Sequence, residues 1–173
     1  DATVEQAFRN YLYQLNEVSH LEIAGVYEDK ISNVLHVFGR THATPYRFYY
    51  RTFRFTDRRW SAWEKVQVDI RGSENGENSG VHLVPIVWKR RLFLFWVEFM
   101  EKDRSQTDIP SPYWEVRLAW TEYQSGKWTP KQLSKEFLEA ADFSADRDTS
   151  RYRLLPTIDN TNELRLGLGR MPS

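Results

Sequence analysis

The chain contains no cysteine, so a disulfide bond, a thiolate metal site and a cysteine nucleophile are all excluded. It also lacks an apolar run that approaches the roughly 20 residues needed by a membrane-spanning helix. Its 24 basic residues balance 24 acidic ones, so no overall field draws it to nucleic acid or to an anionic membrane. With 173 residues and no covalent cross-link, the chain is expected to form one domain stabilised by packing alone.

Neither end of the sequence resembles a natural terminus. The chain begins at Asp1 without an initiator methionine, and no charged and apolar leader that would mark a signal peptide is visible. It ends on the irregular segment 170–173. We interpret both ends as cuts in a longer polypeptide, and we expect a bacterial protein that is made in the cytoplasm and then secreted.

Aromatic residues are abundant, and they favour strands. They make up 15% of the chain, with 7 Trp, 9 Tyr and 10 Phe. The exception is the first segment, in which apolar residues recur at helical spacing and Thr3 and Gln6 form a capping-box pattern. The sequence therefore predicts an all-β domain with one amphipathic helix over residues 4–18.

The strand pattern predicts two antiparallel meanders and a final hairpin. The first meander covers 21–70, the second covers 82–134, and the hairpin covers 151–168. Strict alternation predicts an outer strand over 60–70, the second meander is expected to end in a strand over 128–134, and a short helix is expected over 135–141. Polar segments at 71–80, 102–112 and 142–148 are expected to be loops.

The two meanders form an internal repeat. Each has two apolar strands, a longer aromatic strand, a polar turn, a tryptophan and a fourth strand, and the two tryptophans, Trp60 and Trp128, lie 68 residues apart. A repeated four-stranded meander is typical of β-propeller blades, so we predict two blade-like sheets. An antiparallel sandwich with similar strand spacing is the alternative.

Several long blocks of the sequence resemble the neuraminidase-like domain of the A subunit of Tc-type insecticidal toxin complexes, over roughly the first hundred residues. The blocks are Tyr11-Leu12, Leu15, Glu17-Val18, Leu21-Glu22, Gly25 and Tyr27-Glu28-Asp29; Asn33-Val34-Leu35-His36-Val37-Phe38-Gly39-Arg40-Thr41; Tyr49-Tyr50-Arg51; Trp60-Ser61-Ala62-Trp63-Glu64-Lys65-Val66; and His82-Leu83-Val84-Pro85-Ile86-Val87-Trp88 with Arg90-Arg91-Leu92 and Leu94-Phe95-Trp96.

The resemblance implies a structural role. Such A subunits assemble as homopentamers with an outer shell around a translocation channel, and the neuraminidase-like domain helps to close the membrane-facing end of the shell until the pH changes. The expected partners are therefore other domains of the same chain and neighbouring subunits. No nucleic acid is expected as a partner.

The sequence argues against catalysis. Sialidases carry Ser-x-Asp-x-Gly-x-Thr-Trp turns, but before Trp60 the Asp and Gly places hold Phe55 and Asp57, and before Trp128 they hold Tyr123 and Ser125. The four histidines are scattered without metal-ligand spacing, and 72–80 lacks the pattern of a phosphate loop. We therefore predict no enzyme activity and no cofactor.

Three groups of residues are candidates for function. His36 and His82, in or beside apolar strands, are either structural or sensors of pH. The basic turns Arg58-Arg59 and Lys89-Arg90-Arg91, and the acidic loops 69–77 (which include Asp69) and 142–148, are either ordinary solvated turns or partners in pH-dependent contacts between subunits. The third group either packs in the core or stacks on sugars of a host-surface glycan, as a carbohydrate-binding module would. It consists of Trp60, Trp63 and Trp128.

Overall fold

A computed structural model of the chain describes residues 6, 18–72, 81–104, 111–140 and 149–171. The described residues form antiparallel β-sheets, which confirms the predicted all-β class. The chain divides into two compact units, residues 1–67 and 68–173. The helix predicted over 4–18 falls almost entirely outside the described residues, of which Gln6, Val18 and Ser19 have helical backbone.

The first unit contains one five-stranded sheet. Three long strands form a meander. Two short strands lie one after the other along the free edge of the third, so the sheet is four strands wide although it contains five. The strands are β1 (Glu22–Asp29), β2 (Val34–Arg40), β3 (Phe48–Arg54), β4 (Arg59–Trp60) and β5 (Glu64–Lys65).

The turn between β1 and β2 is built by local hydrogen bonds. The Asp29 carboxylate accepts from the backbone amides of Ile31 at 3.0 Å and Ser32 at 3.3 Å, and Asn33 follows with a φ of 54°. Asp and Asn tolerate these turn conformations because their short polar side chains bond to the nearby backbone. The turn fixes the register of β1 on β2.

The second unit repeats this arrangement at larger size. β7 and β8 form a long central pair, β6 pairs with β7, and three short strands lie in succession along the outer edge of β8. The strands are β6 (Val84–Trp88), β7 (Arg91–Asp103), β8 (Pro112–Gln124), β9 (Lys127–Trp128), β10 (Gln132–Leu133) and β11 (Leu138–Ala140). A 3₁₀ turn at Thr149–Arg151 leads into the hairpin β12 (Tyr152–Ile158) and β13 (Leu164–Arg170).

Burial on both faces characterises the centre of this sheet. Leu94 and Trp96 are fully buried on one face of β7, and Phe95 and Phe99 are buried on the other. The second face packs on the hairpin, where the Phe99 ring lies 5.3 Å from that of Tyr152. Two buried faces explain why residues 92–97 of β7 form a continuous apolar run rather than an alternating one.

The internal repeat is present in the register of the two sheets. The Trp60 ring lies beside Phe53 across β3 and β4, and the Trp128 ring lies beside Tyr123 across β8 and β9; in both pairs the centroids are 4.9 Å apart at 49°. β5 and β10 pair at equivalent places of β3 and β8. The predicted spacing of 68 residues is therefore the spacing of equivalent structural positions.

A hydroxyl residue after each tryptophan extends the equivalence. The Thr52 amide donates to Ser61 Oγ at 2.9 Å, and the Ser61 amide donates to the Thr52 carbonyl at 2.9 Å. In the second unit the Glu122 amide donates to Thr129 Oγ1 at 3.0 Å, and the Thr129 amide donates to the Glu122 carbonyl at 2.8 Å. The short strands are thus held by the same hydrogen bonds twice.

Three local predictions are wrong. The helix predicted over 135–141 is replaced by strand β11, because Leu138–Ala140 pairs with β8 and tertiary pairing outweighs local helix propensity. The continuous strands predicted over 60–70 and 128–134 are each broken into two short strands. In the second case Pro130 lies in the break and has no amide to donate.

Candidate interaction site

Arg51 lies between two tryptophans on one face of the first sheet. Its guanidinium carbon is 4.0 Å from the centre of the Trp60 ring and 4.3 Å from that of Trp63. Trp60 lies in β4 and reaches this place because it pairs opposite Phe53 of β3. Trp63 follows in the segment between β4 and β5. Cation–π attraction is strongest with tryptophan, so the two rings hold the guanidinium in place.

Gly39 makes room for this arrangement on the neighbouring strand β2. A Cβ atom at Gly39 would lie 3.0 Å from Leu21 Cβ and 3.2 Å from the tip of the Trp63 ring. Such distances are shorter than side chains accept without moving. Only glycine therefore allows Leu21 and Trp63 to approach the strand this closely.

The Arg51 guanidinium carries a charge that nothing in the described chain neutralises. Its Nε is buried without a hydrogen-bond partner, and no carboxylate forms an ion pair with it among the described residues. Burial lowers the pKa of Arg51, because partial desolvation disfavours the charged form. An arginine remains charged under these conditions, so Arg51 is a partly desolvated cation whose buried Nε has no acceptor.

An apolar, partly exposed patch continues from this arginine. The Phe53 and Phe55 rings meet edge to face at 5.2 Å, and Phe55 and Trp60 are 43% and 47% exposed. Val26, two strands away on the same face by register, is also exposed. We call Arg51, Trp60 and Trp63 with the adjoining Phe53 and Phe55 the aromatic patch.

Sequence reasoning selected Trp60 and Trp63 but missed Arg51. The available signal was that Arg51 is a charged residue flanked in β3, two residues away on either side, by the aromatic residues Tyr49 and Phe53. Its importance depends on where Trp63 folds back, and strand periodicity does not predict that.

His36 lies on the opposite face of the same sheet. Its Nδ1 shares a 2.8 Å hydrogen bond with the hydroxyl of Tyr50, on whose ring it stacks. Burial lowers the pKa of His36, and the charge of Asp29 only partly opposes the shift. The pKa of Asp29 is also below its usual range: burial raises it, but hydrogen bonds from Ser32 and Ile31 outweigh that effect.

His82 belongs to the second unit and precedes β6. Its Nδ1 is buried without a hydrogen-bond partner. Burial lowers the pKa of His82, and the positive charge of Arg153 lowers it further.

The predicted basic turns are exposed. Arg58, with a φ of 54°, and Arg59 form no ion pair with another described residue, and neither does Arg90, with a φ of 61°. Lys89 lies 4.4 Å above the Trp88 ring. Of the predicted acidic loops, 73–77 and 142–148 lie outside the described residues.

Asp69, in contrast, has partners within its own unit. Its carboxylate lies 2.9 Å from Arg71 Nε and 3.6 Å from Lys131 Nζ. Lys131 also lies 2.7 Å from the buried carboxylate of Glu98, which in turn accepts a hydrogen bond from Trp96 at 3.3 Å. These contacts form a network that neutralises a buried acid, as a buried charge requires.

Other buried acids on β8 are also paired. Arg117 Nε donates to Glu115 at 2.6 Å, and Arg91 Nε donates to Glu122 at 2.5 Å with a second contact through Nη2. Arg91 holds the pKa of Glu122 below its usual range. Trp128, the third candidate tryptophan, is half-buried and packs against Tyr123 with its ring tilted.

A cavity of about 270 Å³ lies in the second unit where β8, the segment 134–138 and the hairpin meet. Its lining residues are Val97, Val116, Arg117, Leu118, Ser134, Glu136, Phe137, Leu138, Leu154, Leu166 and Leu168. The lining holds one arginine, one carboxylate and no tyrosine. It therefore does not assemble the arginine cluster and tyrosine–acid pair that sialidase chemistry requires.

The described ranges contain no group of three or more His, Asp or Glu side chains placed to hold a metal ion. Within the same ranges, no helix has the length and apolar character to cross a membrane.

Known proteins are similar to this chain in sequence or in fold. Toxin subunit YenA2 of Yersinia entomophaga is 28% identical over an alignment that covers 62% of this chain and 8% of that protein. Morganella morganii TcdA4, solved by cryo-electron microscopy, matches 96% of the chain with a TM-score of 0.68 and 17% identity. Yersinia pseudotuberculosis TcaA-TcaB, also solved by cryo-electron microscopy, matches 96% with a TM-score of 0.58 and 16% identity.

The chain is short relative to these proteins, since it spans 7% and 9% of the two solved chains. The family model described as the neuraminidase-like domain matches residues 21–166, which include both sheets and most of the hairpin. This match confirms the resemblance inferred from the sequence blocks. The chain belongs to the neuraminidase-like domain family.

Proposed function

We propose that the chain is a non-catalytic structural module of a large toxin subunit, in which its two blade-like sheets form part of an outer shell. The observation that carries the proposal is the family match over residues 21–166, together with the similarity to toxin subunits many times longer than this chain. In this role the chain packs against other domains of the parent protein and against neighbouring subunits of a homopentamer. It acts outside the producing cell, at the membrane-facing end of the shell.

The distribution of charge supports an assembly role. The buried acids of β7 and β8 are neutralised by Lys131, Arg117 and Arg91, whereas Arg58 and Arg90 are exposed and unpaired among the described residues. Exposed cations of this kind contribute little to folding and are free to pair with acids of a neighbouring surface. They are candidates for contacts that keep the shell closed.

Acid sensitivity is the second part of the proposal. Burial lowers the pKa of His36, so its protonation below neutral pH disfavours the packed sheet. Protonation of carboxylates on a neighbouring surface would weaken contacts to the basic turns in the same direction. We propose that the two effects together loosen the closed shell when the pH falls.

The test uses the parent toxin subunit with Arg58→Ser and Arg59→Ser, and in a second variant Lys89→Ser and Arg90→Ser. Native mass spectrometry reports assembly, and dye release from liposomes reports shell opening as the pH is varied. We expect assembled particles that open closer to neutral pH than the wild type. Unchanged opening in both variants would remove the gating part of the proposal, and a monomeric wild type would remove the shell role itself.

A carbohydrate-binding module is the second candidate, because Trp60 is 47% exposed. Its ring is, however, already contacted by Arg51 and by Phe53. Sugar stacking needs an open aromatic face, so we expect no signal on a glycan array. Binding that is lost in Trp60→Ala but kept in Trp88→Ala would favour this candidate, and release of sialic acid from a reporter substrate would overturn the non-catalytic assignment.

A further inference from the structure

The geometry points to a new binding site: Arg51, held between Trp60 and Trp63, receives the carboxylate of an Asp or Glu side chain from a neighbouring protein surface. We call these three residues the Trp–Arg–Trp site. The inference rests on the proposed function, since it requires that the chain packs against another protein surface. It deepens that function by naming the chemistry of one contact.

The charge of Arg51 has no counter-ion among the described residues. The Nε atom is buried and has no acceptor, while the two indoles lie 4.0 and 4.3 Å from the guanidinium carbon. A buried donor without an acceptor is unfavourable, because folding removes its water without supplying another hydrogen bond. An arriving carboxylate neutralises this cation and accepts hydrogen bonds from the guanidinium donors that remain accessible.

The second unit lacks this site at the equivalent positions of the internal repeat. Arg51 lies two residues before Phe53, and its equivalent before Tyr123 is Thr121, which is fully buried and donates to the Thr129 carbonyl at 2.6 Å. The equivalent of Trp63 is Lys131. The same sheet is therefore built a second time with neither the arginine nor the second indole, so the fold does not require them.

The residues around Arg51 are of the kinds that are enriched in protein–protein interfaces. The aromatic patch combines a central arginine and two tryptophans with the partly exposed ring of Phe55. Trp and Arg are the residues most enriched at the energetic centres of protein–protein interfaces, where apolar neighbours exclude water around a charged anchor. A carboxylate flanked by apolar side chains, as on a folded protein or peptide, fits this surface better than a fully hydroxylated sugar.

The indoles also preorganise the arginine. A guanidinium presents its donors in a rigid planar fork that matches a carboxylate, and stacking on both indoles removes side-chain freedom before the partner arrives. Lysine at this position would keep the charge but lose the fork. We therefore expect carboxylate binding to depend on arginine itself.

The experiment titrates the isotope-labelled 173-residue chain with two capped peptides, acetyl-Leu-Glu-Leu-amide and acetyl-Leu-Gln-Leu-amide. NMR follows the indole N–H signals of Trp60 and Trp63 and the Nε–H signal of Arg51. We expect saturable shifts with the Glu peptide. The Gln peptide should bind about tenfold more weakly, because it cannot form the charge-assisted hydrogen bond.

Variants locate the site. Arg51→Gln should reduce binding of the Glu peptide by about tenfold and Arg51→Lys by less. The matched control Arg54→Gln removes an exposed arginine that pairs with Asp57 at 2.6 Å, and it should bind as the wild type does. If Arg51→Gln fails to fold, the comparison of the two peptides on the wild type and on Arg51→Lys still decides the matter.

Equal binding of the Glu and Gln peptides, or the absence of saturable shifts at these signals, would overturn the inference. A third titration with sialyllactose distinguishes the source of the carboxylate, and stronger shifts with this sugar than with the Glu peptide would also overturn it. The peptide measurement requires no assembly. Its failure therefore removes only the Trp–Arg–Trp site, while the shell role stands or falls on the native mass of the parent subunit.

Discussion

His36 couples the first sheet to pH through a single side chain. It is buried against Tyr50, with a 2.8 Å hydrogen bond and parallel rings, and the nearby Asp29 does not raise its pKa enough to offset burial. The folded state therefore binds a proton at His36 less tightly than the unfolded state, in which the pKa is about 6.5. Folding stability from this residue is complete above about pH 6.5 and is lost as the pH falls below it.

We predict that His36→Gln reduces the acid destabilisation of the chain. Titration of one such histidine contributes a slope of up to about 1.4 kcal/mol per pH unit below neutrality, and glutamine retains a polar partner for Tyr50 without titrating. Urea denaturation at several pH values measures the slope. The exposed His42→Gln serves as the control and should follow the wild type; a His36→Gln slope equal to that of the wild type would contradict the prediction.

Gly39 controls a close contact at the same scale. We predict that Gly39→Ala destabilises the chain by about 1–3 kcal/mol, because its Cβ would lie 3.0 Å from Leu21 and 3.2 Å from Trp63 and would overpack the site. Chemical denaturation measures the change. Gly167→Ala is the matched control, since the nearest atom to its new Cβ is a carbonyl oxygen at 3.7 Å, and it should be nearly neutral. Equal costs at both positions would rule out crowding as the cause.

At the scale of elements, tight turns set the register of each meander. Lys89 and Arg90 join β6 to β7 with φ angles of 49° and 61°, the left-handed values of a two-residue hairpin turn. Neither residue favours this conformation, in contrast to Gly126 in the turn between β8 and β9. The β6–β7 turn therefore keeps two basic side chains at a conformational cost.

Replacing this turn with Lys89→Asn and Arg90→Gly should stabilise the chain by about 1 kcal/mol, since both residues suit positive φ. The loss of the Lys89 contact with Trp88 offsets part of the gain. Thermal denaturation measures the change, and Gly126→Ala should shift stability in the opposite direction by a similar amount. A lower stability in the Asn-Gly variant would show that the native side chains stabilise the turn by other means.

At the scale of the whole molecule, cations divide into those that neutralise buried acids and those that face outward. Lys131 lies 2.7 Å from the buried Glu98, whereas Arg58 and Arg59 pair with no acid in the described parts of the chain. The first group supports folding, and the second is available for contacts with other proteins. The neutral total charge conceals this division.

We predict that Lys131→Met lowers stability by about 1–3 kcal/mol, because it leaves Glu98 buried without its cation. Arg58→Ser combined with Arg59→Ser should stay within about 0.5 kcal/mol of the wild type, as is usual for exposed residues. Chemical denaturation at neutral pH compares the two. A large loss in the double variant would mean that these arginines act in folding rather than in assembly.

The strands themselves were largely predictable, because alternation and aromatic content are local properties. The meanders, the hairpin and the 68-residue spacing of Trp60 and Trp128 follow from the order of residues alone. The errors occur where a distant partner decides. Residues 135–141 contain helix formers, yet Leu138–Ala140 becomes a strand because β8 offers it an open edge.

The sequence by itself determined the all-β class, the absence of cysteine chemistry, the repeated meander and the family to which the chain belongs. Only the tertiary structure decided which charges are neutralised and which stay open, because that depends on strand register and on backbone folding back across the sheet. Glu98 meets Lys131 from 33 residues away. Arg51 becomes an unpaired cation between two indoles only once Trp60 and Trp63 have folded over it.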